Sequence, residues 1–139
     1  MRGSLLLLVV GLLALTVAGC AKAAGADDSN RPTIAIHYSQ FEPANLTVRA
    51  GKPITFVLRN DDPIEHEWII GSEDVHARHR TGTEPYHDQV PTEVTIPAYT
   101  THTTTLTFEA PGTLTYICHL PGHEEYGMRG TLTIIDTKT

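Results

Sequence analysis

The segment YICHLPGHEEYGM, residues 116–128, gathers much of the sulfur and imidazole chemistry of this 139-residue chain. Cys118 is the only cysteine outside the N-terminal leader, His119 and His123 are two of the eight histidines, and Met128 is the only methionine after the initiator. A domain with a single thiol cannot form an internal disulfide. Its fold must therefore rest on packing, which a bound metal ion can aid.

Strand periodicity and turn chemistry predict that these side chains converge. Cys118 alternates with Leu114 and Tyr116 along one strand, so the thiol shares a face with two core side chains. The Pro-Gly turn that follows can bring His123 back beside the sulfur. Met128 comes just before the last predicted strand. We therefore expect three of these side chains to meet at one loop between two adjacent strands.

The chemistry of this set favours copper. Ca²⁺ and Mg²⁺ require oxygen ligands, and a thioether is a poor ligand for structural zinc. Two histidines, one cysteine and a distant axial methionine form the trigonal site that selects copper for electron transfer. The second histidine has to come from elsewhere in the chain. The segment FVLRNDDPIEHEWIIG supplies His66, which shares a strand face with Trp68 and Ile70.

The pattern Cys-x4-His-x4-Met, preceded in the chain by N-x-D-x-x-x-H, resembles the cupredoxin (blue, type 1 copper) family. The likeness covers nearly all of residues 33–135. It implies an eight-stranded Greek-key sandwich that holds one type 1 copper under the loops at one end. It also implies that His66, Cys118 and His123 are equatorial ligands and that Met128 is the axial ligand.

The resemblance carries finer expectations about the surroundings of the copper. The stretch HEWIIG followed by a histidine-bearing insertion is similar to bacterial periplasmic cupredoxins associated with copper handling. By analogy with the family, Asn60 or a nearby backbone N–H is a candidate donor to the cysteine sulfur. Electrons are expected to leave through the exposed edge of His123, with Leu120 and Pro121 forming an apolar docking surface.

The rest of the domain is predicted to be all β. Short runs rich in threonine, isoleucine, valine and aromatic residues are separated by turn signals, which favours an antiparallel sandwich with Greek-key connections. Period-2 faces include Ile54, Phe56 and Leu58. The eight predicted strands are TIAIHY, NLTVRA, PITFVLRN, HEWIIG, TEVTI, HTTTLTFEA, TLTYICH and GTLTIID.

An insertion around residues 71–90 interrupts the strands. Within it, GSEDVHARHRTG has the signature of a short helix, with Ser72 as the N-cap and Gly82 as the stop. Acidic residues lie in its first turn and basic residues near its end, as the helix dipole favours. We expect this insertion, as helix or loop, to lie across one edge or end of the sandwich.

Composition excludes some partners and indicates export. The formal net charge is −6 and no run of basic residues is present, so nucleic acid is not expected. One arginine precedes an apolar stretch that is short for a membrane span and has the form of a secretory signal. The protein is therefore expected in the periplasm or on the outer face of a bacterial membrane.

Two maturation routes fit the leader. VAGC resembles the bacterial lipoprotein signal, in which Cys20 would carry the lipid, whereas AKA fits ordinary cleavage. The lipoprotein route is favoured because Cys20 otherwise has little reason to end the apolar stretch. Residues 1–19 are then a signal peptide of lipoprotein type, residues 20–31 a flexible tether and residues 32–139 the domain.

Four further histidines require separate hypotheses. His76, His79 and His87 lie in the acidic insertion, where they either form a second, weaker metal site or are ordinary surface residues; the second alternative is favoured. His119 is predicted to point away from the core into solvent. The run CHLPGH resembles the last copper motif of multicopper oxidases, but the His-x-His pairs that a three-copper cluster needs are missing.

Two functions of different kinds remain open. The first is one-electron transfer by a type 1 copper centre outside the cytoplasm, with a redox partner protein. The alternative is copper tolerance or delivery through the same site, with a copper donor or acceptor. No catalytic residues are expected, because the ligands of known copper enzymes are incomplete, and the domain is expected to act as a monomer.

Overall fold

The computed structural model describes residues 30–83 and 90–136. The predicted signal peptide, Cys20, most of the predicted tether and His87 lie outside these residues. Within the described ranges, no helical segment is long and apolar enough to cross a membrane.

The described chain consists mainly of short strands with one helix between the fifth and sixth. Threonine and β-branched residues dominate them, as expected for half-buried pleated surfaces. The elements are β1 (Thr33–His37), β2 (Gln40–Glu42), β3 (Asn45–Arg49), β4 (Pro53–Asn60), β5 (His66–Gly71), α1 (Glu73–Thr81), β6 (Glu93–Ile96), β7 (Thr101–Thr107), β8 (Gly112–Ile117) and β9 (Arg129–Ile135).

These strands form two sheets that pack face to face. One sheet has the order β2-β1-β4-β7 and the other has the order β3-β9-β8-β5-β6. Neighbouring strands in each sheet are mostly not consecutive in the chain, so the connections cross between the sheets. The predicted Greek-key sandwich is confirmed. All eight predicted strands are present.

Two details of the strand prediction need correction. The sheets are mixed rather than antiparallel, because β1 pairs in parallel with β4 and β3 with β9. The described residues also include a ninth strand, β2, which pairs with β1 in register Ile36 with Phe41. A strand of three residues is too short to show a period-2 pattern. Its sequence therefore gave no signal that could separate it from a loop.

The core lies between the sheets and explains the alternating pattern. Ile54, Phe56 and Leu58 of β4 are all buried, as their shared face predicts. Across the core, Trp68 of β5 is fully buried and its ring centroid lies 5.1 Å from that of Phe56. Burying each such side chain contributes about 1.5–3 kcal/mol, which fixes the strands that carry the candidate ligands.

The predicted helix is present as α1. Gly82 adopts a left-handed conformation (φ 63°) and its N–H bonds to the carbonyl groups of Arg78 and His79, which ends the helix as predicted. Ser72 occupies the N-cap position, but its side chain makes no capping hydrogen bond. The helix packs against β5. The buried residues of the helix include His76 and His79.

Gly130 provides a test of core packing. A Cβ atom at this position would overlap the ring of Tyr116, whose hydroxyl donates a hydrogen bond to the Pro43 carbonyl at 2.7 Å. We expect Gly130→Ala to lower the free energy of unfolding by about 1–3 kcal/mol, because the buried ring has to move. Urea denaturation monitored by tryptophan fluorescence measures this change.

Gly112→Ala is the matched control for Gly130→Ala. Gly112 lies on the neighbouring strand β8, but a Cβ atom there meets no atom within 4 Å. The free energy of unfolding of the Gly112→Ala variant should stay close to that of the parent. Equal effects of the two substitutions would contradict the packing explanation.

Candidate metal centre

Three of the predicted ligands meet at one end of the sandwich. The ligating atoms of His66, Cys118 and His123 all lie within 4.8 Å of one another, and no other group of three such side chains is found among the described residues. His66 begins β5, Cys118 follows β8 directly, and His123 lies in the loop between β8 and β9. The Nδ1 atom of His123 is 3.3 Å from both the Cys118 sulfur and the His66 Nδ1 atom.

Met128 lies beside this group. Its side chain is fully buried in the same core cluster as Cys118. Two backbone hydrogen bonds position it, because the Met128 N–H donates to the His123 carbonyl at 2.9 Å and its carbonyl accepts from the Cys118 N–H at 3.2 Å. These two bonds place Met128 next to both Cys118 and His123, as the sequence predicts.

Asp62 fixes the orientation of His66. Its Oδ2 atom lies 3.0 Å from the Nε2 atom of His66 and accepts the imidazole proton there. The lone pair of His66 is then on Nδ1, which faces Cys118 and His123. Burial lowers the pKa of His66, which favours the neutral, metal-binding form of the ring.

Backbone N–H groups hold the Asp62 carboxylate in place. Tyr38 N–H donates to Oδ1 at 2.8 Å and Ser39 N–H donates to Oδ2 at 2.7 Å. Both donors have positive φ, 52° and 54°, so consecutive N–H groups point into one anion-binding concavity. Burial acts to raise the pKa of Asp62, but the bonds from Ser39, Tyr38 and His66 outweigh it and lower that pKa.

The role of Asp62 is not evident from the sequence alone. The residue is part of the N-x-D-x-x-x-H pattern, four residues before His66. The spacing alone does not place a carboxylate beside an imidazole when a turn separates them. The anchoring loop at Tyr38 and Ser39 comes from a distant part of the chain and could not be predicted.

The cysteine sulfur receives a backbone hydrogen bond. Glu67 N–H donates to the Cys118 sulfur at 3.3 Å, which agrees with the expectation of a nearby backbone donor. Asn60 is not that donor. Its side-chain N–H group bonds to the carbonyls of Ile64, Ile96 and Pro97, so it braces the turn before His66 instead. Burial raises the pKa of the Cys118 thiol to about 11.

The prediction for the other histidines is wrong in part. His76 and His79 of α1 are buried rather than on the surface. His119 does point away from the sandwich core, but the helix covers it: its side chain is 5% exposed, and its ring stacks on that of His79 at 5.2 Å. Burial, with a smaller effect of His76, lowers the pKa of His119 to about 4.

Glu124 links the loop between β8 and β9 to helix α1. Arg80 donates to both of its carboxylate oxygens, at 2.8 and 2.6 Å, and Arg129 donates to one of them at 3.0 Å. The bonds from Arg80 and then Arg129 lower the pKa of Glu124 to about 2, against the opposing effect of burial. The loop that carries His123 is thereby fixed to two other elements.

The shifted pKa of Glu124 predicts how stability depends on pH. A lowered carboxyl pKa stabilises the fold above the ordinary pKa of 4.5, and this contribution is lost as the pH falls toward 2. We expect Glu124→Gln to remove about 1–2 kcal/mol at pH 7, since the arginines are partly exposed. The fall in stability below pH 4.5 should also become shallower.

Urea denaturation at several pH values between 2 and 7 measures the effect of Glu124. Glu125→Gln is the matched control, because Glu125 is the exposed neighbour in the same loop. A pH profile of Glu124→Gln parallel to that of the parent would contradict the ion-pair explanation.

An apolar surface surrounds His123. A depression of about 520 Å³ is lined by His123, Pro121, Gly122, Ser39 and two tyrosines. Those tyrosines, Tyr38 and Tyr126, are each 78% exposed. Pro121 contributes to this surface as predicted, whereas Leu120 packs partly buried against the core. The tyrosines were not predicted to take part.

A thiol and two imidazoles whose ligating atoms lie this close together can bind a soft or borderline ion with few changes of ligand position. A Greek-key sandwich with this buried cluster under its end loops has the architecture of a cupredoxin. The chain belongs to the cupredoxin-like domain family, which it matches over residues 7–134.

The chain is similar to two kinds of named bacterial protein. It is 32% identical over 98 residues to the copper-resistant cuproprotein CopI of Rubrivivax gelatinosus, which covers 68% of this chain and 59% of that relative. It is 35% identical over 105 residues to auracyanin-B of Chloroflexus aurantiacus, which covers 66% of this chain and 43% of that relative. The matched part is therefore less than two thirds of the length of each of these two relatives.

Solved auracyanin structures share the fold over nearly their whole length. The dithionite-reduced auracyanin of Roseiflexus castenholzii superposes with a TM-score of 0.66 at 25% identity, covering 77% of this chain and 98% of that one. Auracyanin A of Chloroflexus aurantiacus, a "blue" copper protein, gives 0.61 at 26% identity, with 76% and 98% coverage.

Proposed function

We propose that the chain binds one type 1 copper ion through His66, Cys118, His123 and Met128 and carries out one-electron transfer outside the cytoplasm. The observation that carries this proposal is the convergence of the ligating atoms of His66, Cys118 and His123 within 4.8 Å. The buried Met128 beside them supports its role as the axial ligand.

Electron transfer is favoured by how firmly the candidate ligands are held. His66 is fixed by Asp62, the Cys118 sulfur by the Glu67 N–H, and His123 by the backbone bond that it shares with Met128. A site whose ligands keep their positions needs little rearrangement when copper gains or loses an electron. Hydrogen bonding at the sulfur and the axial ligand then tune the potential.

The apolar surface around His123 is the proposed docking site for a redox partner protein. His123 is the least buried of the three convergent residues, so it gives the shortest route from the centre to solvent. The exposed Tyr38 and Tyr126 flank it. Aromatic side chains with little charge around them are typical of the central part of a protein interface.

Copper handling is the second candidate, and the similarity to CopI supports it. The same centre would then act in copper tolerance or delivery, and the bound ion would be exchanged with a donor or acceptor. The two candidates differ in one measurable respect. A carrier keeps its copper through repeated redox cycles, whereas a handling protein gives it to an acceptor.

Repeated redox cycling of the copper-loaded protein tests the proposal. The protein is reduced with ascorbate and reoxidised with ferricyanide several times in the presence of a copper(I) chelator. We expect the visible absorption to recover fully and the copper content, counted by mass spectrometry, to stay at one per chain. Progressive transfer of copper to the chelator would instead support copper handling.

The N-terminal region belongs to the proposal as well. We expect cleavage before Cys20, a lipid on that residue, and a tether through residue 31 that links the membrane to the domain. One acyl chain binds a membrane only marginally, so stable attachment needs several chains. Mass spectrometry of the mature N-terminus tests this point, and an unmodified N-terminus after Ala23 would contradict it.

A further inference from the structure

A hydrogen-bonded pair of histidines lies behind the candidate copper centre. The Cys118 side chain is buried in the core between the sheets, whereas the next residue, His119, contacts His76 of α1. The Nδ1 atom of His76 lies 2.9 Å from the Nε2 atom of His119, and the ring centroids are 5.2 Å apart. The two rings therefore meet end-on in an N–H···N hydrogen bond.

The second nitrogen of His76 fixes the direction of this bond. Its Nε2 atom lies 3.2 Å from the Thr115 carbonyl oxygen, which can only accept a hydrogen bond. The His76 proton is therefore on Nε2, its Nδ1 atom is the acceptor, and His119 donates from Nε2. Burial lowers the pKa of both His76 and His119, so both rings stay neutral and His76 keeps its acceptor.

The two bonds of His76 span the residue that carries the thiol. One bond ends at Thr115, before Cys118 in the chain, and the other ends at His119, directly after it. The pairing of β8 with its neighbouring strands stops at Ile117, so Cys118 and His119 lie beyond the end of the ladder. The bond from His119 to His76 therefore holds the chain where the sheet no longer does.

The end of β5 places α1 close enough for this contact. Gly71, the last residue of β5, pairs with Thr115, and α1 begins two residues later at Glu73. A Cβ atom at Gly71 would lie 2.8 Å from the Val75 side chain, so the helix rests directly on the strand. His76 follows Val75 in the helix and is fully buried.

We infer that His76 is a positioning residue for the cysteine of the copper centre, an inference that rests on the function proposed above. Its bonds to Thr115 and His119 hold the backbone on both sides of Cys118 and thereby limit the movement of the sulfur. A sulfur held in this way keeps nearly the same distance from copper in both oxidation states. Residues that hold a metal ligand in place from behind affect both the metal affinity and the redox potential.

Hydrogen exchange of the metal-free protein, followed by NMR, tests the positioning directly. The amides of Glu67 and Cys118 are the reporters, because the first donates to the Cys118 sulfur and the second to the Met128 carbonyl. His76→Leu removes both bonds of His76. We expect both reporter amides to exchange faster in this variant, since the segment that carries the sulfur opens more often.

An amide in the other sheet separates local opening from a general loss of stability. The Val57 N–H donates to the Pro32 carbonyl at 2.9 Å. In His76→Leu, the acceleration at the two reporter amides should exceed the acceleration at Val57 at least tenfold. Equal acceleration at all three amides would show that His76 contributes only to overall stability and would overturn the inference.

His76→Asn is the conservative variant. The asparagine side-chain oxygen takes the place of Nδ1 and can accept the hydrogen bond from His119, but no atom reaches the Thr115 carbonyl. Exchange at Cys118 should therefore be closer to the parent than to His76→Leu, and equal rates in the two variants would count against the bond to His119. His102→Leu is the matched control at an exposed histidine of β7, and it should leave the reporter amides unchanged.

The reduction potential of the copper-loaded protein connects the positioning to the metal. Loosening the sulfur lets each oxidation state adopt its own geometry. His76→Leu should therefore change the ratio of the copper(II) and copper(I) affinities at least threefold, which is about 28 mV at about 59 mV per tenfold change. His119→Leu should give the same change, and the double variant no more than either alone, because one bond joins the two residues. Additive changes, or the parent potential in all three variants, overturn the inference.

The two measurements also separate this inference from the proposed function. Hydrogen exchange needs no copper, so a parent that binds no copper contradicts the proposed function while the exchange rates still decide whether His76 holds Cys118 in place. A parent that binds copper, with parent-like exchange in His76→Leu, overturns the positioning role and leaves the proposed function intact.

Discussion

Cys118→Ser is expected to abolish the strong visible absorption of the copper-loaded protein. In the proposed centre that absorption comes from charge transfer between the thiolate and copper. Burial raises the pKa of the thiol to about 11, so copper has to displace its proton on binding. A serine hydroxyl is far harder to deprotonate and far less soft. The variant should therefore lose both the colour and most of the affinity for copper.

The controls for Cys118→Ser separate loss of the ligand from loss of the fold. The side chains are nearly equal in size, so the copper-free variant should keep the far-ultraviolet circular dichroism of the parent. The same substitution at Cys20, the other cysteine of the chain, should leave the visible spectrum unchanged. A strongly coloured Cys118→Ser protein, or a colourless copper-treated parent, would contradict the proposed ligand set.

The sandwich could be predicted because its physical causes are local. Alternation such as that of Ile54, Phe56 and Leu58 records which face of a strand is buried, and turn residues mark where each strand ends. No comparable sequence pattern indicates that two pairs of strands run parallel. Whether β1 runs parallel or antiparallel to β4 depends on how the connections cross, which is a property of the whole fold.

The convergent residues were predictable for a similar reason. Cys118, His123 and Met128 lie close together in the chain, on two strand ends joined by one turn. The supporting contacts could not be read from the sequence because each joins distant segments. The Tyr38 N–H reaches Asp62 from 24 positions away, and Glu67 reaches Cys118 from 51 positions away.

The error over the helix histidines has the same origin. A charged, histidine-bearing insertion is typical of a solvent-exposed segment, and nothing in its sequence indicates which face will be covered. His76 is buried because α1 folds back over β8 and the start of the loop that follows it. Local composition therefore predicted that a helix forms, but it could not predict which surface that helix covers.

Asp62→Asn is expected to weaken copper binding by about 10- to 100-fold, the usual effect of removing a partner that orients a ligating histidine. The carboxylate accepts hydrogen bonds from Tyr38, Ser39 and His66. An asparagine amide has one oxygen and one NH2 group, so at least one of these three donors would face another donor. A buried donor left without an acceptor costs about 1–3 kcal/mol, so the copper-free protein should also lose stability.

Asp61→Asn is the matched control for Asp62→Asn, because Asp61 is the exposed neighbour that pairs only with Arg59 among the described residues. Competition with a copper(I) chelator gives the affinities, and the reduction potential distinguishes a change at His66 from a general loss of stability. If Asp62 acts through His66, its substitution should change both the affinity and the potential, while that of Asp61 changes neither. Equal affinities and potentials for the two variants would show that Asp62 braces only the loop at Tyr38 and Ser39, and that His66 keeps its orientation through the strand alone.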